Sequence, residues 1–379
     1  MGGIPHALAV DTTLAPSWGN ALTRLRVLAL TKYNGMGASS RMRFLQYLPS
    51  LRQTGFRVVV HALISDDMLA SRYQHGSYGI SRLCVAYADR IRVLIGCADF
   101  DLVWIEKEAL PWLPAWFEHM LLSRRPYVLD FDDAVFHNYD LHRYSIIRTL
   151  FGRRLDSLMS RARVVVAGNS YLANRAIKAG ARQVAIIPTV VDLQRYAPKS
   201  LYEAHAGSRI VWVGSPSTVK YLSDLKAPLV ELAKRIPFTL HVIGGEFAVQ
   251  GVQIQNIAWS AEAEAGAIAE CDIGIMPLAD TPWEQGKCAY KLIQYMACGL
   301  PTVASPIGAN RDVVIDGETG FFANTLSEWV DKLERLLRDA TLRAQLGRAG
   351  RARVSSLYCL QQVAPLLKAT LEDASGGER

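Results

Sequence analysis

The sequence predicts an α/β protein of two domains, each a doubly wound parallel sheet with helices on its faces. Three observations carry that prediction. The chain has 379 residues, more than one core of ~150 residues accommodates. Short apolar runs of strand length alternate with helical patterns along nearly all of it. A polar stretch containing Pro198, from Tyr196 to Ser208, divides the elements into two series and reads as a linker at 196–208. Hydrophobic residues make up 50% of the chain and charged ones 20%, which supplies two cores and excludes a disordered chain.

Residues 1–24 have no basic segment followed by a long apolar run, so they read as a loose leader rather than a signal peptide. The first domain, 25–195, opens with a strand from Leu25 to Leu30 and a loop carrying Gly35 and Gly37. A helix then starts near Arg41 and turns Phe44, Leu45, Leu48 and Leu51 inward. Such a loop lies at the carboxyl end of a parallel strand, where open α/β sheets bind ligands; the G-x-G-x-x-G dinucleotide spacing is absent. Arg41 and Arg43 are either phosphate contacts or helix-surface residues. Further strands are expected near residues 57–61, 101–105, 127–131, 164–167 and 184–187. The third of these ends in Asp130-Phe131-Asp132-Asp133. Carboxylates there are costly unless solvated, paired or functional, and D-x-D is also a metal-holding form. His137 reads as a loop residue before a site residue. From 142 to 163, arginines interleave with Ile146, Ile147, Leu150, Phe151, Leu155 and Leu158. That is a basic amphipathic helix, suited either to an anionic bilayer or to its own domain.

The second domain, 209–355, opens with a strand at 210–213 that runs into Gly214, Ser215 and Lys220. A strand at 240–243 ends in Gly244-Gly245, its His241 reading as a core histidine. After a strand at 272–277 comes a polar turn, Trp283 to Cys288, then a helix from Tyr290 to Cys298, a stop at Gly299-Leu300-Pro301, and a strand at 302–304. Leu292, Tyr295 and Met296 face a core, while Lys291 and Gln294 project elsewhere. The helix start leaves free N–H groups on which a phosphate can dock, at Lys287-Cys288-Ala289; an ordinary helix with a solvated lysine is the plainer reading. A capping box, Thr325 with Glu328, starts a helix to about Leu337, and helical pattern resumes from Leu346, with 356–379 a closing helix. The six cysteines form no C-x-x-C pair and read as buried thiols of a reducing compartment, Cys288 excepted by its place in the loop. No apolar run is long enough to span a membrane. The net charge of +7 suits an anionic partner without choosing among sugar nucleotides, phospholipid and nucleic acid.

Three blocks in order, 291–301, 305–310 and 316–321, resemble the donor-binding signature of glycosyltransferase family 4, retaining enzymes of the GT-B fold that use sugar nucleotides. Gly168-Asn169-Ser170 and Ile187 to Asp192 are similar to other landmarks of that family. The resemblance implies two Rossmann-like domains facing across a cleft, with the last helix crossing back to the first domain and no metal or other cofactor. It implies donor contacts at Gly214, Ser215, Lys220, Gly244, Lys287, Cys288, Ala289, Lys291 and Gln294. Gly35, Gly37, Arg41 and Arg43 would face the acceptor and the cleft. Asp132, or in second place Asp133, would touch the transferred sugar or the acceptor hydroxyl, and Lys220 would stabilise the departing diphosphate. The chain departs from the family pattern where Ser215 replaces an arginine and where Gly286 and Gln294 replace two glutamates; Glu284 stands two residues early. The implied function is transfer of a sugar from a UDP- or GDP-sugar to a saccharide or lipid-linked acceptor in cell-surface polysaccharide or glycolipid synthesis. That work would be cytoplasmic or peripheral on the inner face of the plasma membrane, without nucleic acid. The alternatives are a non-catalytic GT-B scaffold and a GT-B sugar-nucleotide epimerase.

Overall fold

The computed structural model describes residues 25–198 and 207–376; the expected leader and most of the expected linker lie outside them. The first sheet holds β1 (Arg26–Tyr33), β2 (Arg57–Ile64), β3 (Leu102–Glu106), β4 (Tyr127–Phe131), β5 (Val164–Ala167) and β6 (Val184–Ile186) in the order β2-β1-β3-β4-β5-β6. The second holds β7 (Ser208–Val213), β8 (Phe238–Ile243), β9 (Gln253–Ile257), β10 (Ile273–Met276), β11 (Thr302–Ala304) and β12 (Gly320–Phe322) in the order β12-β11-β10-β7-β8-β9. Neighbouring strands pair in parallel throughout both sheets. Strand order reverses between β1 and β3 and between β7 and β10, so each domain has its ligand crevice at the carboxyl ends of those strands.

Alternation of side chains explains why the strands read as continuous apolar runs. Leu28, Leu30, Val103 and Ile105 enter one core of the first domain, while Val27, Ala29, Leu102 and Trp104 enter the core on the other face. In β7, Val211 and Val213 face one core and Ile210 and Trp212 the other. The edge strand β9, Gln-Ile-Gln-Asn-Ile, has no apolar run and was absent from the sequence reading. The closing helical pattern breaks at Tyr358-Cys359, where Val191 exchanges backbone bonds with Tyr358 and Leu360 (3.1 and 2.9 Å). The helix beyond the break, Leu360–Ser375, lays Val363, Leu367 and Leu371 against Val27 and Val128 of the first domain.

Three expectations change. Tyr196 does not open a solvated linker but is buried in the second domain's core. Cys84 is exposed, unlike the other five cysteines. The basic amphipathic segment is not one helix: Ser145–Phe151 and Arg154–Arg161 are separate. Its Leu155 and Leu158 belong to the first domain's core, and Arg154 is buried between Glu108 (2.5 Å) and Glu118 (2.6 Å). Among the described residues, no helix is long and apolar enough to cross a membrane.

Candidate active site in the interdomain cleft

The wall contributed by the first domain is built at the ends of β3 and β4. Immediately after Glu106 the chain turns through Lys107, whose φ of 63° is left-handed and costly for a residue with a Cβ. This turn buries the Lys107 ammonium 2.7 Å from Asp132, 2.8 Å from the Ser39 hydroxyl and 3.6 Å from Glu106. Burial opposes charge on Asp132, but Lys107, joined by the Ser39 hydroxyl and the Arg43 charge, outweighs it and holds the carboxyl below its ordinary range. Asp130 is engaged differently. Arg43 Nη2 lies 2.7 Å from it, Arg43 Nε donates to it at 2.8 Å, and Arg43 Nη1 donates to the Ile187 carbonyl at 2.8 Å. Arg43 is therefore not a cleft-facing phosphate contact; it is a buried partner that neutralises Asp130 inside the domain. His137, expected in a loop, heads the short helix His137–Asp140 and is hydrogen-bonded to Asp140 (2.7 Å) and Tyr171 (2.8 Å).

From the second domain, the loop before the helix Tyr290–Ala297 inserts against this wall. The Asn169 amide donates to the carbonyls of Gly286 and Lys287, both at 3.0 Å, while its Oδ1 caps the helix that starts at Ser170. Lys287 reaches Asp133 at 3.6 Å. Cys288 Sγ is buried against Gly168, and burial pushes its thiol up, so it fills the interface as a neutral group. Ala289 closes the loop at a left-handed φ of 53°. Gly286 stands so near the first domain that a Cβ there would collide with the Ala134 side chain and lie 2.8 Å from the Ala134 nitrogen. This packing accounts for glycine where the family pattern has glutamate. Gly286→Glu is thus expected to force the domains apart instead of restoring a ligand. Small-angle scattering should show a larger radius of gyration for the variant; an unchanged radius would mean the loop repacks.

Cationic and hydroxyl groups gather along the second domain's strand ends. Lys220 follows the turn at Gly214 and Ser215, where the Ser215 N–H donates to the Thr218 hydroxyl (2.9 Å). With Tyr221, Glu284 and Asn138 of the first domain, Lys220 lines an open interdomain cavity of about 470 Å³. The Tyr221 hydroxyl donates to Glu284 at 2.6 Å and Thr281 also bonds it, so hydrogen bonds offset its burial and hold the carboxyl below its usual range. Lys291 lies over the Trp212 ring, 4.2 Å from its centroid, without a carboxylate partner among the described residues. Burial, then the nearby Lys287 charge, push its ammonium down to about 7. Gly244, at φ 83°, passes so close to the Gly214 carbonyl that only glycine fits.

Gln294 does not project into the cleft. It is buried and donates to the Tyr196 hydroxyl at 2.8 Å, which donates to Glu264 at 3.3 Å; Trp259 Nε1 donates to the other Glu264 oxygen at 2.8 Å. A carboxylate therefore stands one residue beyond the position that lacks one. Across the cleft, Arg41 donates to the Gly35 carbonyl (2.9 Å) and stacks on Trp259, 4.7 Å from the ring centroid. The Gly35 carbonyl thus holds the arginine that spans the domains, whereas Gly37 is buried against Tyr33 of its own domain. Lys107, Glu264 and Trp259 were missed in the sequence, and Asn169 was named there as a family landmark without a contact assigned to it. The available signal for Lys107 was the charged run Glu106-Lys107-Glu108 directly after an apolar strand; Glu264 and Trp259 lie in an unpatterned stretch that offered none.

Residues 207–339 match the model of the group 1 glycosyl transferases. A stretch of 87 residues is 32% identical to the D-inositol 3-phosphate glycosyltransferase of Arthrobacter sp. (strain FB24), covering 22% of this chain and 20% of that protein's length. Two solved structures share the whole architecture. Anabaena HepE in complex with UDP and glucose aligns with a TM-score of 0.68 at 16% identity, covering 92% of this chain and 100% of HepE. Sucrose-phosphate synthase from Thermosynechococcus elongatus aligns with a TM-score of 0.66 at 14% identity, covering 92% and 98%. The two Rossmann-like sheets and the cleft between them are those of the GT-B fold, and the second domain matches the group 1 glycosyl transferase model.

Proposed function

We propose that the protein is a retaining glycosyltransferase that moves a sugar from a nucleotide-diphosphate sugar, most simply a UDP-sugar, to a saccharide or lipid-linked acceptor of the cell surface. The observation that carries this reading is the meeting of Lys287 and Asp133 across the cleft at 3.6 Å. It joins the cationic loop at a helix start to the carboxylate wall that faces it. The diphosphate is held by Lys220, Lys287, Lys291 and the N–H groups of the Ala289 turn, which also stabilise charge as the nucleotide departs. On binding, Lys287 exchanges Asp133 for phosphate. The Gln294–Tyr196–Glu264 network lies on the ribose side and supplies the carboxylate that position 294 lacks.

Asp132, kept ionised by Lys107, accepts hydrogen bonds from sugar hydroxyls and is a weak base. The acceptor's proton then goes to the leaving phosphate on the same face, which accounts for retention without a carboxylate nucleophile. Metal independence is supported by the separate pairing of Asp130 with Arg43 and of Asp132 with Lys107, which leaves the D-x-D form with no pair to present. The UDP preference draws on the UDP complex of HepE. The place of work is the cytoplasmic side of the cell envelope.

The test is a screen of UDP-, GDP- and ADP-sugars by thermal shift and slow donor hydrolysis, with and without EDTA, followed by NMR of the product anomer. One donor is expected to raise the melting temperature by a few degrees, to be turned over despite EDTA, and to keep its anomeric configuration. A nucleotide that binds while no sugar is released over a range of acceptors would instead make the protein a scaffold.

A further inference from the structure

Beside the cleft, the first domain leaves an apolar face uncovered. Trp112, Trp116 and Met120 recur every fourth residue through the turn after β3 and the helix Ala115–Leu122, and all are exposed, Trp116 to 67%. Ile146 and Leu150 repeat that spacing on the helix Ser145–Phe151, at 63% and 67% exposure. Exposed Leu141 and Tyr144 lie at the start of this second row. The two rows meet at Trp112. The Trp112 ring packs on Tyr139, 4.8 Å between centroids, and meets His142 at 6.0 Å, while Tyr139 stacks with Phe151 at 6.2 Å. Apolar residues at this spacing ordinarily mark the stripe by which a helix joins a core. Here they point outward as a contiguous patch larger than scattered surface hydrophobics provide.

The unpaired charge around the patch has one sign, Asp140 beside Leu141 being held by Arg175 (2.8 Å). Arg124, Arg143, Arg148, Arg153 and Arg161 are all exposed. The carboxylates within 111–125 and 141–163 are Glu118 and Asp156, and both are taken, by Arg154 (2.6 Å) and Arg175 (2.7 Å). Indole and aliphatic apices inside a ring of unopposed guanidinium groups match the layering of an anionic bilayer, with an apolar boundary beneath phosphates.

We propose that this face docks the protein on an anionic phospholipid surface, with Trp112, Trp116, Ile146 and Leu150 entering the headgroup–acyl boundary. The docking surface is therefore assembled from two sequence segments, the post-β3 turn and the broken basic segment, rather than from a single amphipathic helix. Its position has a consequence for the chemistry. Asn138, which lines the cleft cavity opposite Lys220 and Glu284, precedes Leu141 by three residues, a span of roughly 10 Å of chain. A bilayer under this face holds a membrane-anchored acceptor at the mouth of the cleft. That last step rests on the lipid-linked acceptor proposed above; the docking does not.

The experiment is co-sedimentation of the full chain with vesicles of phosphatidylcholine alone or mixed with phosphatidylglycerol, with sedimentation velocity in the absence of lipid and thermal shift with UDP run in parallel. The protein is expected to partition onto the mixed vesicles, not the neutral ones, and to be released by salt. The variant W116S/I146S/L150S should partition about tenfold less with the wild-type melting temperature, and R143Q/R148Q should lose binding in the same direction. The proposal is overturned if the wild type ignores anionic vesicles, if neither variant changes partitioning, or if the triple variant instead abolishes a lipid-free dimer. The UDP shift reads the donor site by itself. Its absence in the wild type defeats the donor reading and leaves the vesicle result standing.

Discussion

Lys107→Met lowers the stability of the protein by about 3–5 kcal/mol, the usual cost of removing one partner from a buried ion pair. The side chain it replaces is 5% exposed and lies between Asp132, itself 12% exposed, and Glu106, fully buried. Methionine fills the volume but leaves both carboxylates without that cation. The pH dependence should change sign as well. In the wild type, Asp132 titrates below its ordinary range. It contributes stability that is present above the unfolded carboxylate pKa of about 3.9 and is lost as pH falls through the lower folded value. Without Lys107, burial dominates and raises the folded value above the unfolded one. The folded state then holds a proton that the unfolded chain releases, and stability falls as pH rises from about 4 through the raised value. Urea unfolding at about pH 5 and about pH 8 distinguishes the two, because the variant's deficit should be larger at the higher pH. A uniform deficit would assign the loss to packing. Donor turnover should fall with the population of ionised Asp132, whereas Lys107→Arg, which keeps the charge, should recover part of the acid–alkaline profile even where it packs less well.

How much of this was written legibly in the chain follows from the range of the interactions. Strands buried on both faces announce themselves locally, so β1, β3, β4, β5 and β7 could be read from apolar runs, whereas β9 at the sheet edge could not. The helix start at Ala289-Tyr290 was readable because a stop signal, a core stripe and a polar turn sit within one stretch. Arg43 looked like a surface arginine because its partner Asp130 is 87 residues away, and nothing local marks which arginine will be buried. The same limit hid the Gln294–Tyr196–Glu264 network, whose members come from three separated elements. Gly286 illustrates the converse. Its departure from the family pattern was plain in the sequence, but the reason, contact with Ala134 on the other domain, exists only once the two domains are placed together. The amphipathic arginine segment was legible as composition and misleading as geometry, since one helix ends at Phe151, capped by Gly152, and another starts at Arg154 after the non-helical Arg153.

Lys291→Met is expected to weaken donor binding by about tenfold or more and turnover by roughly 100-fold, while leaving the donor-free protein at least as stable near neutral pH. The apparent contradiction follows from an ammonium without a carboxylate partner among the described residues. With its pKa pushed down to about 7 by burial and Lys287, folding takes Lys291 from an unfolded value of about 10.4 into a site that disfavours its charge. Between those values the unfolded chain binds the proton more readily, so this group destabilises the fold increasingly as pH falls from about 10 to about 7, and methionine removes that penalty. A diphosphate reverses the balance. It raises the Lys291 pKa in the complex, so donor binding takes up a proton at mildly alkaline pH, and affinity is greatest below about pH 7 and declines as pH rises through the value in the complex. Calorimetric titration with UDP in buffers of different ionisation enthalpy measures that proton directly. The wild type should take up a fraction of a proton that Lys291→Met does not, and the variant's dissociation constant should be the less dependent on pH. Equal proton uptake in both proteins would place the titrating group elsewhere in the cleft and make Lys291 a packing residue over Trp212. A site that holds a cation at a cost to its own stability is accounted for by the anion that removes the cost, and the calorimeter reads whether the donor diphosphate is that anion.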